Sequence, residues 1–191
     1  MPSVPPWLLR RPRFNFSMYD FEKNSTSPEV LQSRFAETRA NFGKHVEFYT
    51  DGSKTGESAA CAVIWENQVK NMRLPDKSSV YTAELAAIRM SLEVIQRSTD
   101  RRFVIYSDSL SSLQAIHSFD INSVTVFNIL KLYTQLTDAG KQITLCWIPS
   151  HVGIKGNEMA DMAAKAGILS AIILNKMPAD SFFDISQSSE F

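Results

Sequence analysis

The stretch FYTDGSKTG, residues 48–56, decides how the fold is read. An apolar run halts on Asp51 and enters an Asp-Gly turn, the pattern of a strand feeding a hairpin. VIYSDSLSS, residues 104–112, repeats the arrangement, a β-branched and aromatic run that stops on Asp108 after a small hydroxyl residue. Two strands of one domain each finish on a carboxylate.

Working outward, HVEFYTD, SAACAVIW and NQVKNMRL are three strands joined by short connections, which predicts an antiparallel meander. Next, in SSVYTAELAAIRMSLEVIQRS, Leu85, Ile88, Leu92 and Ile95 recur at helical spacing behind a capping Ser79. RFVIYSD is a fourth strand, too apolar to be half exposed and therefore central, with helices on its flanks. A short helix follows from Ser109 to about His117. Val126, Ile129, Leu130, Tyr133 and Leu136 then mark another, ended by Gly140. QITLCW is the fifth strand, and Asn157 is placed to cap a last helix that runs through Ala166 to Gly167. The order βββαβααβα requires a helical crossover between the third and fourth strands, which predicts a right-handed connection and a fourth strand parallel to the first.

Residues 1–44 read as a partly ordered arm or connector, with prolines at positions 2, 5, 6 and 12 and the basic trio Arg10, Arg11 and Arg13. Ser27-Pro28-Glu29 suits a helix start. The trio reads as a solvated charge cluster, with phosphate contact as the alternative. Residues 45–167 make the domain. Residues 168–191 form a tail whose apolar ILSAIIL docks a helix before the chain frays.

Composition sets limits on function. The chain has 191 residues, 44% of them apolar, enough for one domain with a sizeable core. Twenty basic residues balance twenty acidic ones, so net charge argues for no polyanionic partner and any such partner must be argued from a site. Cys61 and Cys146 lie in apolar runs without metal-ligand spacing, which fits reduced, buried thiols and a cytoplasmic or nuclear compartment. No stretch approaches the roughly 18 apolar residues of a membrane span, so no membrane partner is expected.

Parallel first and fourth strands bring Asp51 and Asp108 together at neighbouring carboxyl ends, where open α/β sheets build their sites. Each acid alone has a structural explanation. Asp51 starts a turn, Asp108 precedes a helix, and Glu84 complements a helix dipole in the first turn. Glu158 and Asp161, three apart on one helix face, belong to a helix start. Convergence changes the balance, since two like charges about 4 Å apart cost roughly 4 kcal/mol at an effective dielectric near 20. Oxygen ligands without a Cys or His set then point to Mg²⁺, with Mn²⁺ as the other choice.

YTDGS, TAELAAI, YSDSLSSLQAI and WIPSHVGIKGNEMADMAAK, in that order over residues 45–167, resemble the type 1 ribonuclease H domain, in the form found in arthropod non-LTR retrotransposon polyproteins. The resemblance implies an α/β, ribonuclease H-like fold, a five-stranded mixed sheet with helices on both faces. It implies an endonuclease that hydrolyses the RNA strand of RNA/DNA hybrids with two Mg²⁺ ions. Asp51, Glu84, Asp108 and Asp161 would hold the ions, and His151 would assist proton transfer or product departure. Glu158 matches a family glutamate beside the site.

Departures from the family bear on grip. The turn SKTGES is short, Tyr81 and Thr82 replace polar or basic substrate contacts, and residues 118–123 leave no room for an extra basic helix. Low intrinsic affinity and steep salt sensitivity follow, with a reverse transcriptase domain in a parent polyprotein as the source of tethering. The alternative function is a non-catalytic hybrid-binding or structural remnant. A transposase-like or integrase-like nuclease is disfavoured by the order Asp51, Glu84, Asp108.

Overall fold

The computed structural model describes residues 5–21 and 25–169. In chain order its elements are β1 (Arg13–Asn15), α1 (Pro28–Asn41), β2 (Val46–Thr55), β3 (Ser58–Trp65), β4 (Gln68–Arg73), α2 (Val80–Arg97), β5 (Arg102–Ser107), α3 (Leu110–His117), α4 (Val124–Asp138), β6 (Gln142–Trp147) and α5 (Lys155–Gly167). Short 3-10 turns at Pro6–Leu8 and Ser17–Asp20 punctuate the arm. The apolar segment expected to dock from the tail lies almost entirely beyond the described residues.

Local signals set the boundaries. Ser79 Oγ accepts from the Thr82 amide over 3.0 Å and starts α2. Beyond α4, Gly140 takes φ +86°, the left-handed turn that a residue with a Cβ resists. Glu66 and Asn67, at φ 44° and 63°, make the tight β3–β4 turn, whose double positive φ matches the right-handed strand twist.

The sheet order is β1-β6-β5-β2-β3-β4. β2, β3 and β4 form the expected meander, while β5 runs parallel to both β2 and β6 and is central. The strand expected to halt at Asp51 in an Asp-Gly turn instead runs on to Thr55. Asp51 and Gly52 pair with Ala62 and Cys61, so ladder pairing overrides the local turn signal, and the reversal falls at Gly56 and Glu57, with Gly56 at φ +59°. The five expected strands are present, and the arm adds a sixth, pairing Arg13–Asn15 in parallel with Thr144–Cys146.

Strand alternation then builds a core on each face. Phe48, Phe103, Ile105, Ile143 and Leu145 point toward α2, α3 and α4, where Leu85, Ile88, Leu113, Ile129 and Leu130 meet them. Tyr49, Val104, Tyr106 and Cys146 point the other way, into a second core with Ala160 of α5. Leu31 and Phe35, four apart on α1, complete that second core together with Met18. The arm expected as a connector thus shares with α5 the covering of one face of the sheet. A fully buried side chain of this size contributes about 1.5–3 kcal/mol.

The basic trio sits away from the carboxylates. Arg13 opens β1 beside Thr144, toward the starting end of the parallel strands, and Asp108 follows the finishing end of β5. Arg10 pairs with Asp138 and Arg11 lies over the Phe119 ring at 4.8 Å.

Candidate active site

Thr50 and Ser107 form the last pair of the β2–β5 ladder, so Asp51 and Asp108 are the next residue on each of two adjacent parallel strands. Both side chains leave the same end of the sheet. Glu84 reaches them from α2, where it is the fifth residue. It therefore lies beyond the first turn in which the sequence reading put it, and the helix-dipole explanation loses its footing.

Gly52 makes that approach possible. A Cβ there would lie 2.5 Å from the Glu84 backbone nitrogen and 2.7 Å from the Ala83 carbonyl carbon. Only a bare α-carbon lets α2 settle this close to β2.

Ligand oxygens of Asp51, Glu84 and Asp108 all lie within 4.8 Å of one another. Asp51 and Glu84 are 7% and 8% exposed, so their charges repel where little water screens them. Burial pushes the Glu84 carboxyl up to about 9, with help from Asp51 and Asp108. Burial, together with Asp108 and Asp161, pushes Asp51 up to about 7. Asp108 is raised by burial too, but Asn157 and the positive potential of His151 pull it back.

The donor chemistry fits a hard divalent cation. Three carboxylates converge without cysteine or histidine, and Glu84 Oε2 is buried with no hydrogen-bond partner. A buried carboxylate oxygen left unpaired is costly. A cation among these oxygens would remove both the orphan and the repulsion.

A second set adjoins the first. His151, Glu158 and Asp161 also offer ligand atoms within 4.8 Å of one another, and Asp161 lies close enough to raise both Asp51 and Asp108. Asp161 Oδ2 accepts from Lys165 Nζ over 2.7 Å, one helical turn away. His151 is exposed on the loop before α5, its Nδ1 3.9 Å from Glu158 Oε2. The four acids and the histidine singled out in the sequence thus gather at one end of the sheet as two neighbouring sets.

Asn157 is a correction. Expected as the cap of α5, it is the third residue of that helix, and Ile154 occupies the cap position. Its side chain, 1% exposed, donates from Nδ2 to Asp108 Oδ2 over 2.9 Å. The capping-like contact falls to its neighbour instead, Glu158 Oε1 accepting from the Gly153 amide over 3.3 Å. Trp147 also went unread as a site residue; its Nε1 donates to the Asp108 carbonyl over 3.2 Å. An Asn in a helix's first turn and a Trp ending a strand carry ordinary local meanings, so neither announced its contact.

A protein-family model described as RNase H matches residues 43–169. That span contains both carboxylate sets, β2 to β6 and α2 to α5, and leaves the arm outside.

Proposed function

Since the chain belongs to the RNase H family, whose activity is that of nucleases on RNA/DNA hybrids, we propose that it hydrolyses the RNA strand of such hybrids by two-metal-ion catalysis. The observation that carries this reading is the convergence of Asp51, Glu84 and Asp108 around the unpartnered Glu84 Oε2.

Asp51, Glu84 and Asp108 would hold one Mg²⁺, with Mn²⁺ as a substitute, and Asp161 would join Asp51 in holding the second. Bound divalent ions lower the pKa of water and offset charge on the attacking and leaving oxygens of a phosphodiester. The chain's own groups supply the rest. Asn157 turns one Asp108 oxygen toward itself and so fixes how the other is presented. Gly52 sets the depth to which α2 delivers Glu84. His151, exposed at the rim, takes or gives a proton at its imidazole as the products part. Preference for RNA comes from contacts to 2′-hydroxyls, which DNA lacks.

A retrotransposon ancestry fits the motif wording and the balanced charge, because a linked reverse transcriptase domain would raise the local concentration of the hybrid. Two free, buried cysteines suit a reducing cytoplasmic or nuclear setting. Among the described residues no helix is long and apolar enough to cross a membrane.

Purified chain with Mg²⁺ is expected to cut the RNA of a hybrid and to spare duplex DNA and single-stranded RNA. Asp108→Asn should stop cutting and leave the circular dichroism spectrum unchanged. Hybrid binding without cutting by both proteins would establish a binding module instead. Cleavage of duplex DNA would point to a transposase-like nuclease.

A further inference from the structure

We propose that the arm is a working part of the active site, with Gln32 of α1 as a positioning residue for His151; its effect on turnover rests on the ribonuclease reading above. Gln32 Nε2 donates to the carbonyl of Val152, the residue after His151, over 2.8 Å. The next residue, Gly153, has φ +81°, and a Cβ there would come within 2.5 Å of the same Gln32 nitrogen. The missing side chain is what lets the Gln32 amide reach across the loop.

The loop needs such a hold. His151 itself has φ 52°, a left-handed conformation that a non-glycine residue keeps only when its surroundings enforce it. The arm supplies part of those surroundings. Val152 and Ile154, on either side of Gly153, are buried in the same cluster as Leu31 and Phe35 of α1. On the opposite side, the Gly153 amide is bound by Glu158. The imidazole is thus exposed, while the backbone beside it is clamped between α1 and α5.

A second contact runs from the arm to the other half of the site. The Tyr19 ring packs edge-on against Trp147 with centroids 5.8 Å apart, and Trp147 holds the Asp108 carbonyl. All of these arm residues precede the span matched by the family model, so the tether is built by a segment outside it.

A histidine that moves protons must stay within hydrogen-bond reach of its partner, and small displacements are costly in rate. The test uses the full chain with Gln32→Ala and Gln32→Glu. Glu keeps the size and shape of Gln but sets a carboxylate oxygen against the Val152 carbonyl, so a packing role predicts no loss and a donor role predicts loss. The expected result is a fall in kcat of about fivefold for both variants, with KM unchanged and Tm lowered by no more than about 4 °C, since one lost hydrogen bond is worth about 1 kcal/mol. In a His151→Ala background the same substitutions should cost nothing further, because the group they position is gone. In the metal-free chain the Gly153 amide should exchange faster with solvent in both variants. Wild-type kcat in Gln32→Glu, or an equal loss with and without His151, overturns the proposal. If the unmutated chain cuts no hybrid, the ribonuclease reading fails, and unchanged Gly153 exchange would then overturn the tether on its own.

Discussion

Asn157 Nδ2 donates to Asp108 Oδ2 over 2.9 Å, while the other end of the same amide, Oδ1, is buried with no partner. A carboxylate only accepts, so the NH₂ must face Asp108 and the carbonyl must face away. The bond joins the first residue after β5 to the first turn of α5 and ties the two carboxylate sets together.

Asn157→Ala removes a hydrogen bond to a charged group, worth about 1.5–3 kcal/mol, and with it an unpaired oxygen whose loss offsets part of that. Stability of the chelated protein should fall by about 1–2 kcal/mol in urea unfolding. More Mg²⁺ should be needed for half-maximal cutting, because an unheld Asp108 must be ordered by the ion. Wild-type Mg²⁺ dependence would remove Asn157 from the site.

Without metal, the acids make stability depend on pH in a definite direction. Asp51 and Glu84 titrate at about 7 and about 9 when folded, against roughly 4 in an unfolded chain. Between these limits the folded chain holds protons that the unfolded chain has released, so their contribution is complete below about pH 4 and drains as pH rises through the folded values. Tm in chelator should therefore drop between about pH 5 and pH 9, and Mg²⁺ should restore it most at the alkaline end. Glu84→Gln should flatten the drop and cut hybrid cleavage by more than about 100-fold, beyond the usual cost of losing an outer-shell partner. A flat Tm profile in the unmutated chain would contradict the repulsion.

Hybrid binding should be weak and salt-sensitive. Charges balance across the chain, and the basic trio is occupied or remote from the acids. Raising salt from about 50 to about 200 mM should weaken binding roughly threefold for every phosphate contacted. A KM for a hybrid of about 20 base pairs that stayed constant over this range would show that phosphate contacts contribute little.

Phe35 tests the arm as structure. Its ring lies 5.2 Å from that of Tyr106 and 6.4 Å from that of Tyr49, closing the second core. Phe35→Ala should cost about 3 kcal/mol in urea unfolding, the lower end for a buried aromatic. A cost under about 0.5 kcal/mol, typical of exposed positions, would mean that α1 does not seal that face.

Most of the domain was legible because its signals are local. Ser79 before a helical apolar repeat and Gly140 after one both sit where they were expected. The carboxylates were found because each follows a recognisable apolar strand run, although only Asp108 lies at a strand's end; Asp51 sits in the middle of β2, which continues to Thr55. β1 was not legible, since three residues among prolines have no period to detect and their only signature is a partner, Thr144–Cys146, far along the chain. Asn157 and Gln32 escaped for the same reason; each is an ordinary helix residue whose meaning lies in a contact across 49 and 120 positions. Glu84 was placed on the right helix but one turn too early.

The pairing of Thr50 with Ser107 makes strand register a chemical specification as well as a structural one. Sliding β5 past β2 by a single residue would turn one aspartate to the opposite face of the sheet and leave a lone acid where a pair is wanted. On the metal-dependent reading proposed above, misfolded chains with this error would keep much of their helix and strand content and lose their uptake of divalent cations, so ion binding would report correct assembly more sharply than a spectrum of secondary structure.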